Sequence, residues 1–235
     1  DESEVPEFSM DVFGNELYPS KDTFKYPKAG ETNATVSLHI YDVASAETKA
    51  VDLSGFQNYY IPRLEWTPEA NVLAVQTTNR KQNDINLLFV DGTSAEAKLI
   101  LSDKDDAYVD VTDNLTFLED NDFIWTSEKD GWNHIYLYDK DGKLKNQVTQ
   151  GPWEVTSYYG YDPKSNRVFY QSSENGSINR GVYSIKVNGK GKEALATEAG
   201  TNSANFSTDF TYFINSFSDA ETPYVFTLND AEDGD

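Results

Sequence analysis

The chain has 235 residues, with 40 acidic against 19 basic side chains and a net charge of −21. A field of that sign repels phosphate backbones and anionic lipid, which makes nucleic acid and membrane surfaces poor partners, and no apolar run is long enough for membrane insertion. The absence of cysteine removes disulfides, thiolate nucleophiles and Cys-based metal sites, while 15 Tyr, 13 Phe and 4 Trp favour pleated, half-buried strands over helix.

The opening Asp1-Glu2-Ser3-Glu4-Val5-Pro6 has no basic n-region and no apolar h-region, so it reads as an internal or processed start rather than a signal peptide. Residues 1–30 read as a lead-in segment and loop from a preceding unit. From residue 31 to residue 235, period-2 patterning gives strand after strand. The expected strands are Val36–Val43, Val72–Thr78, Ile85–Asp91, Phe123–Glu128, Ile135–Asp139, Val168–Ser173, Val182–Val187, Thr211–Phe217 and Tyr224–Leu228. Turn-forming clusters separate them: Asp141-Gly142, Asp162-Pro163-Lys164-Ser165-Asn166, Glu174-Asn175-Gly176 and Asn188-Gly189.

The strands come in similar pairs. Trp66–Gln76 is followed by Ile85–Asp91, Phe123–Glu128 by His134–Asp139, Tyr161–Ser173 by Gly181–Val187, and Phe210–Ser216 by Tyr224–Asn229. An earlier half-unit, Ser37–Asp42, matches only the second strand of a pair. Asp42, Asp91 and Asp139 are spaced by 49 and 48 residues, and Leu73, Phe123, Val168 and Tyr212 by 50, 45 and 44. A four-stranded propeller blade takes ~40–50 residues, and no blade buries both faces without neighbours. The expectation is therefore all-β: a β-propeller of four-stranded antiparallel blades, present as a partial arc of about four to five blades. The half-unit Glu31–Val43 should supply only the outer strands of its blade.

Three segments carry a family likeness: Tyr26-Pro27-Lys28-Ala29-Gly30 with Asn33 and Val36; Glu128-Lys129-Asp130-Gly131-Trp132-Asn133-His134-Ile135-Tyr136; and Thr149-Gln150-Gly151-Pro152-Trp153-Glu154-Val155. With the opening segment and the closing Pro223–Leu228, they resemble, in order, the N-terminal propeller of dipeptidyl peptidase IV-type prolyl peptidases. The resemblance implies a parent enzyme that removes X-Pro or X-Ala dipeptides from peptide N-termini. It implies a Ser-Asp-His triad in a C-terminal α/β-hydrolase domain after Asp235, which would be this chain's partner along with the peptide substrate; a homodimer is compatible with it. It also implies a glutamate pair for the substrate's N-terminus on a helical insertion upstream of Asp1; no Glu-Glu pair occurs in the chain. With the high acidity, it leans towards a periplasmic or secreted location.

The residues themselves offer little chemistry. Gly92-Thr93-Ser94-Ala95-Glu96 is the nearest string to a Gly-x-Ser-x-Gly elbow and has Glu where the last Gly must be. The two histidines, His39 and His134, occupy equivalent strand positions, which favours packing over catalysis or zinc. Asp103, Asp105 and Asp106 lack the Gly and closing Glu of a calcium loop, although they could hold an adventitious cation. Asp139-Lys140-Asp141-Gly142 is ambiguous in the same way, with a hairpin turn favoured. Asn33, Asn114, Asn175 and Asn205 each open an Asn-x-Ser/Thr string. Trp132, Trp153, Tyr158 and Tyr159 are candidates to line a peptide or sugar groove, with blade packing the default. No catalytic residue, metal ligand or cofactor site is assigned, and the substrate-binding residues stay unknown. The expected function is a non-catalytic propeller portion of a serine exopeptidase that gates and positions peptide. The alternatives are a stand-alone peptide- or glycan-binding propeller, or a propeller glycosidase with paired carboxylates ~5–9.5 Å apart.

Overall fold

The computed structural model describes residues 1–56 and 60–234, so residue 235, the expected end of the blade region, lies outside the described residues. Apart from one 3₁₀ turn at Ser54–Phe56, its regular structure is strand throughout. The expected lead-in carries an antiparallel hairpin, β1 (Glu7–Val12) and β2 (Ser20–Lys25), registered Glu7↔Lys25 to Val12↔Ser20. A second two-stranded sheet, β3 (His39–Asp42) and β4 (Glu47–Ala50), is the half-unit. Its first strand begins three residues later than the expected Val36.

Three complete four-stranded sheets follow. Blade I is β5 (Tyr60–Trp66), β6 (Val72–Thr78), β7 (Asp84–Asp91) and β8 (Ala97–Lys104). Blade II is β9 (Thr116–Phe117), β10 (Phe123–Ser127), β11 (His134–Tyr138) and β12 (Leu144–Gln147). Blade III is β13 (Val155–Asp162), β14 (Arg167–Ser172), β15 (Gly181–Lys186) and β16 (Glu193–Ala196). The last sheet has three strands: β17 (Thr201–Phe206), β18 (Tyr212–Ser218) and β19 (Val225–Asp230). Every pairing between the named strands is antiparallel and joins neighbours in sequence, the meander of a propeller blade.

The core consists of four apolar layers, each lying between two consecutive sheets. Alternation along the central strands shows how one strand serves two layers. In β10, Phe123 and Trp125 face Leu87 and Ile100 of blade I, while Ile124 between them faces Val168 and Tyr170 of blade III. In β11, Ile135 and Leu137 join the blade III side, and Tyr136 and Tyr138 the blade I side. In β6, Leu73 and Val75 pack towards the half-unit around Val51, and Ala74 packs towards blade II. In β14, Phe169 turns to Phe213 of the last sheet. Strands buried on both faces must be apolar at nearly every position, hence runs such as Phe123-Ile124-Trp125.

The last sheet departs from this rule. Its β14-facing side holds Phe213, 1% exposed, but its other face presents Tyr212, Ile214, Phe226 and Leu228 at 51%, 47%, 67% and 72% exposure. Gly142, in the β11–β12 turn, sits at φ +82°, and a Cβ there would lie 1.9 Å from the Ile100 carbonyl oxygen of blade I. Only glycine permits that approach.

Candidate functional site

The second and third family-like segments meet at one place, the crossover from blade II to blade III. His134 opens β11 fully buried. Its Nε2 lies 3.1 Å from the Gly151 carbonyl oxygen and its Nδ1 3.1 Å from Thr149 Oγ1. A carbonyl only accepts, so Nε2 carries the proton and donates to Gly151. Thr149 Oγ1 accepts from the Ile135 N–H at 3.0 Å, leaving its own hydroxyl proton for His134 Nδ1. The imidazole is thus a fully paired bracket. Trp153 closes it edge-on, ring centroids 4.8 Å apart at 87°, and stacks on Tyr170 with an interplanar angle of 7°. Gly151, at φ +142°, has no room for a Cβ, which would fall 2.2 Å from Trp153 Nε1. Asn133 completes the join: its amide donates to the Val155 carbonyl at 2.7 Å, and its own carbonyl accepts from the Val155 N–H at 2.8 Å. These residues pin the first strand of blade III to the third strand of blade II.

The first family-like segment is also architectural. Phe8, Phe24 and Tyr26 pack as an aromatic triplet on the hairpin, with Lys28 Nζ 4.0 Å above the Phe8 ring. Glu31 accepts from the Lys28 N–H at 2.8 Å and closes the turn through Gly30.

Beside the crossover lies a polar cavity of about 70 Å³ between the chain leaving β8 and the β10–β11 turn. Carboxylates of Asp103, Asp105, Asp110 and Glu128 line it with Thr126, Lys129 and Asn133. Asp103 is buried and accepts from Trp125 Nε1 at 3.0 Å; Asp105 accepts from the Ala107 N–H at 2.7 Å. Burial and the neighbouring Asp110, Glu154, Asp105 and Asp103 raise the Glu128 carboxyl above its ordinary range. Lys129 donates to the Tyr138 hydroxyl at 2.6 Å and lies 3.9 Å from the Tyr136 ring centroid. Burial lowers its ammonium, against the pull of Asp103 and Asp130. Lys104 also lines the cavity, so four carboxylates face two ammonium groups there. Among the described residues, no three His, Asp or Glu side chains converge to hold a metal ion. Asp110 lies on the segment joining β8 to β9 and Glu128 in the β10–β11 turn, so no local sequence pattern marks their meeting.

The other residues singled out in the sequence scatter. Ser94 sits in the β7–β8 turn, where Asp91 Oδ1 accepts from the N–H groups of Thr93 at 2.8 Å and Ser94 at 2.6 Å. His39 is exposed and lies 3.0 Å from Ser37 Oγ, with no carboxylate bonded to its other nitrogen among the described residues. The equivalence of the two histidines therefore ends at the strand pattern: the packing expected of both holds for His134 and not for His39. Asp106 is exposed, apart from the buried Asp103. Asp139 accepts from the N–H groups of Asp141 and Lys143, forming a hairpin turn. Trp153 and Tyr158 pack against the layer between blades II and III, and Tyr159 against that between blade III and the last sheet, whereas Trp132 is 44% exposed. The amides of Asn33 and Asn114 are committed to Tyr60 and Thr126; Asn175 and Asn205 are exposed.

Comparison with known proteins agrees with this architecture. The family model of the dipeptidyl peptidase IV (DPP IV) N-terminal region matches residues 1–224. The chain is 29% identical over 238 residues to dipeptidyl peptidase 4 of Arthroderma otae, covering 95% of this chain and 31% of that protein. To the Trichophyton rubrum dipeptidyl peptidase 4 it is 27% identical over 238 residues, with the same 95% and 31% coverage. The crystal structure of Porphyromonas gingivalis dipeptidyl peptidase 4 superposes with a TM-score of 0.89 at 46% identity, over 99% of this chain and 33% of that one. The chain thus spans about a third of the length of these relatives, and it belongs to the family of DPP IV N-terminal regions.

Proposed function

We propose that this chain is the non-catalytic wall of a DPP IV-like serine exopeptidase whose hydrolase domain lies outside residues 1–235. The family match across residues 1–224, in a chain about a third as long as its relatives, carries this reading. The exposed apolar face of β17–β19 supports it, because that face has the composition that blades I–III bury. The parent enzyme removes N-terminal X-Pro and X-Ala dipeptides with a Ser-Asp-His triad of its own. The blades restrict entry by size and hold the peptide in place, lowering the entropic cost of reaction. A net charge of −21 raises the local concentration of cationic peptide N-termini. The protein works in the periplasm or is secreted, and a homodimer is compatible with this reading.

The test is a Gly-Pro-anilide assay on the full-length polypeptide and on residues 1–235 alone. Turnover by the first and none by the second is expected. Turnover by the short chain, or a reading frame past residue 235 without Gly-x-Ser-x-Gly followed by Asp and His, overturns the proposal.

A further inference from the structure

Asn-Gly occurs twice in the chain, at Asn175-Gly176 and Asn188-Gly189, both in hairpin turns. We propose that Asn175 is a site of spontaneous covalent modification, converting to aspartate and isoaspartate in the folded protein, while Asn188 is protected. The Gly176 backbone nitrogen, after giving its proton to solvent base, attacks Asn175 Cγ. A C–N bond forms and the side-chain nitrogen leaves as ammonia, giving a cyclic imide. Water then opens either carbonyl, so the net change is amide plus water to carboxylate plus ammonium.

Both glycine N–H groups donate within their turns, Gly176 to Ser173 at 3.0 Å and Gly189 to Lys186 at 2.8 Å, so that bond does not separate the sites. The side chains and surroundings do. Asn188 Oδ1 accepts from the Lys190 N–H at 3.0 Å, which holds Cγ in place. A Cβ on Gly189 would touch the Val148 and Gln147 carbonyls of blade II at 3.4 and 3.5 Å, and Asn146 donates to Val187 beside it at 2.9 Å. That turn is braced against the neighbouring blade. The Asn175 side chain makes no hydrogen bond among the described residues, and a Cβ on Gly176 would meet only Asn179, at 3.5 Å. Residues 175–178 are all exposed, as are residues 188–190, so the difference lies in the bracing and not in exposure. Arg180, donating to the Ser177 and Asn179 carbonyls at 3.0 and 2.8 Å, places a positive charge on the loop where the amide anion develops. Conversion adds a negative charge next to Glu174 and erases the Asn-x-Ser string there.

The full-length protein is held at mildly alkaline pH and mapped by tryptic digestion. Val168–Arg180 reports Asn175 and Val187–Lys190 reports Asn188, with isoaspartate detected by enzymatic methyl labelling. Native protein should convert Asn175 at least about tenfold faster than Asn188, because the second turn must first open locally. In urea the two rates should converge. Equal native rates, faster conversion at Asn188, or labelling of Val168–Arg180 that survives Asn175→Gln overturns the proposal.

Discussion

Replacing His134 with alanine removes the bracket between blades II and III. The variant loses the bonds to Thr149 and Gly151 and the edge-on contact with Trp153. The half-buried Gly151 carbonyl is left without its partner, at a cost of about 0.5–1.5 kcal/mol. The aromatic contact adds about 0.5–1.5 kcal/mol, and the cavity left by a fully buried ring adds to both. The loss should total about 3–5 kcal/mol, read as a lower urea midpoint with tryptophan fluorescence as the probe, since Trp153 sits on the broken contact. Thr149→Val should cost less alone, because it leaves the Ile135 N–H and His134 Nδ1 unpaired but keeps the ring. The double variant should be non-additive by at least about 0.5 kcal/mol. A loss below about 0.5 kcal/mol for His134→Ala, or strict additivity with Thr149→Val, would falsify the bracket.

Gly142→Ala forces a side chain to φ +82° and into the Ile100 carbonyl, and should lower stability by about 2 kcal/mol or more; an unchanged midpoint would contradict the close approach. Tyr170 is fully buried and its hydroxyl has no partner among the described residues, so Tyr170→Phe should be neutral or stabilising by up to about 1 kcal/mol; a clear loss would mean that the hydroxyl is hydrogen-bonded after all. Asp209 accepts from Ser207 Oγ and from the Thr211 N–H, and these bonds, the first most strongly, hold its carboxyl down to about 2. Because the folded value is depressed, its contribution is present above the ordinary value of 3.8 and disappears as pH falls through about 2. A carboxyl chemical-shift titration of Asp209 with a midpoint near 3.8 would refute this.

What could be read from the residues depended on burial. The second and third strands of each blade, β6 with β7, β10 with β11 and β14 with β15, are buried on both faces, so their apolar runs announce them. Edge strands escaped notice. β4 reads Glu47-Thr48-Lys49-Ala50, exposed throughout, and β12 reads Leu144-Lys145-Asn146-Gln147; each is a strand only because a neighbour pairs with it. β5 contains Pro62, which cannot donate to a ladder and falls at a register shift between Tyr60 and Arg63. Among the described residues the hairpin β1–β2 joins no other sheet, so it matched no unit of the repeat.

Alone, the amino-acid order determined the repeat, the stacking of its units and the family likeness, because period-2 burial and turn chemistry are local properties of a chain. Tertiary structure decided which layer each apolar residue fills, that His134 is a bracket while His39 faces solvent, and that Asp103, Asp110 and Glu128 share one cavity. Those facts arise from contacts between blades, and residues from separate blades become neighbours only when the sheets pack.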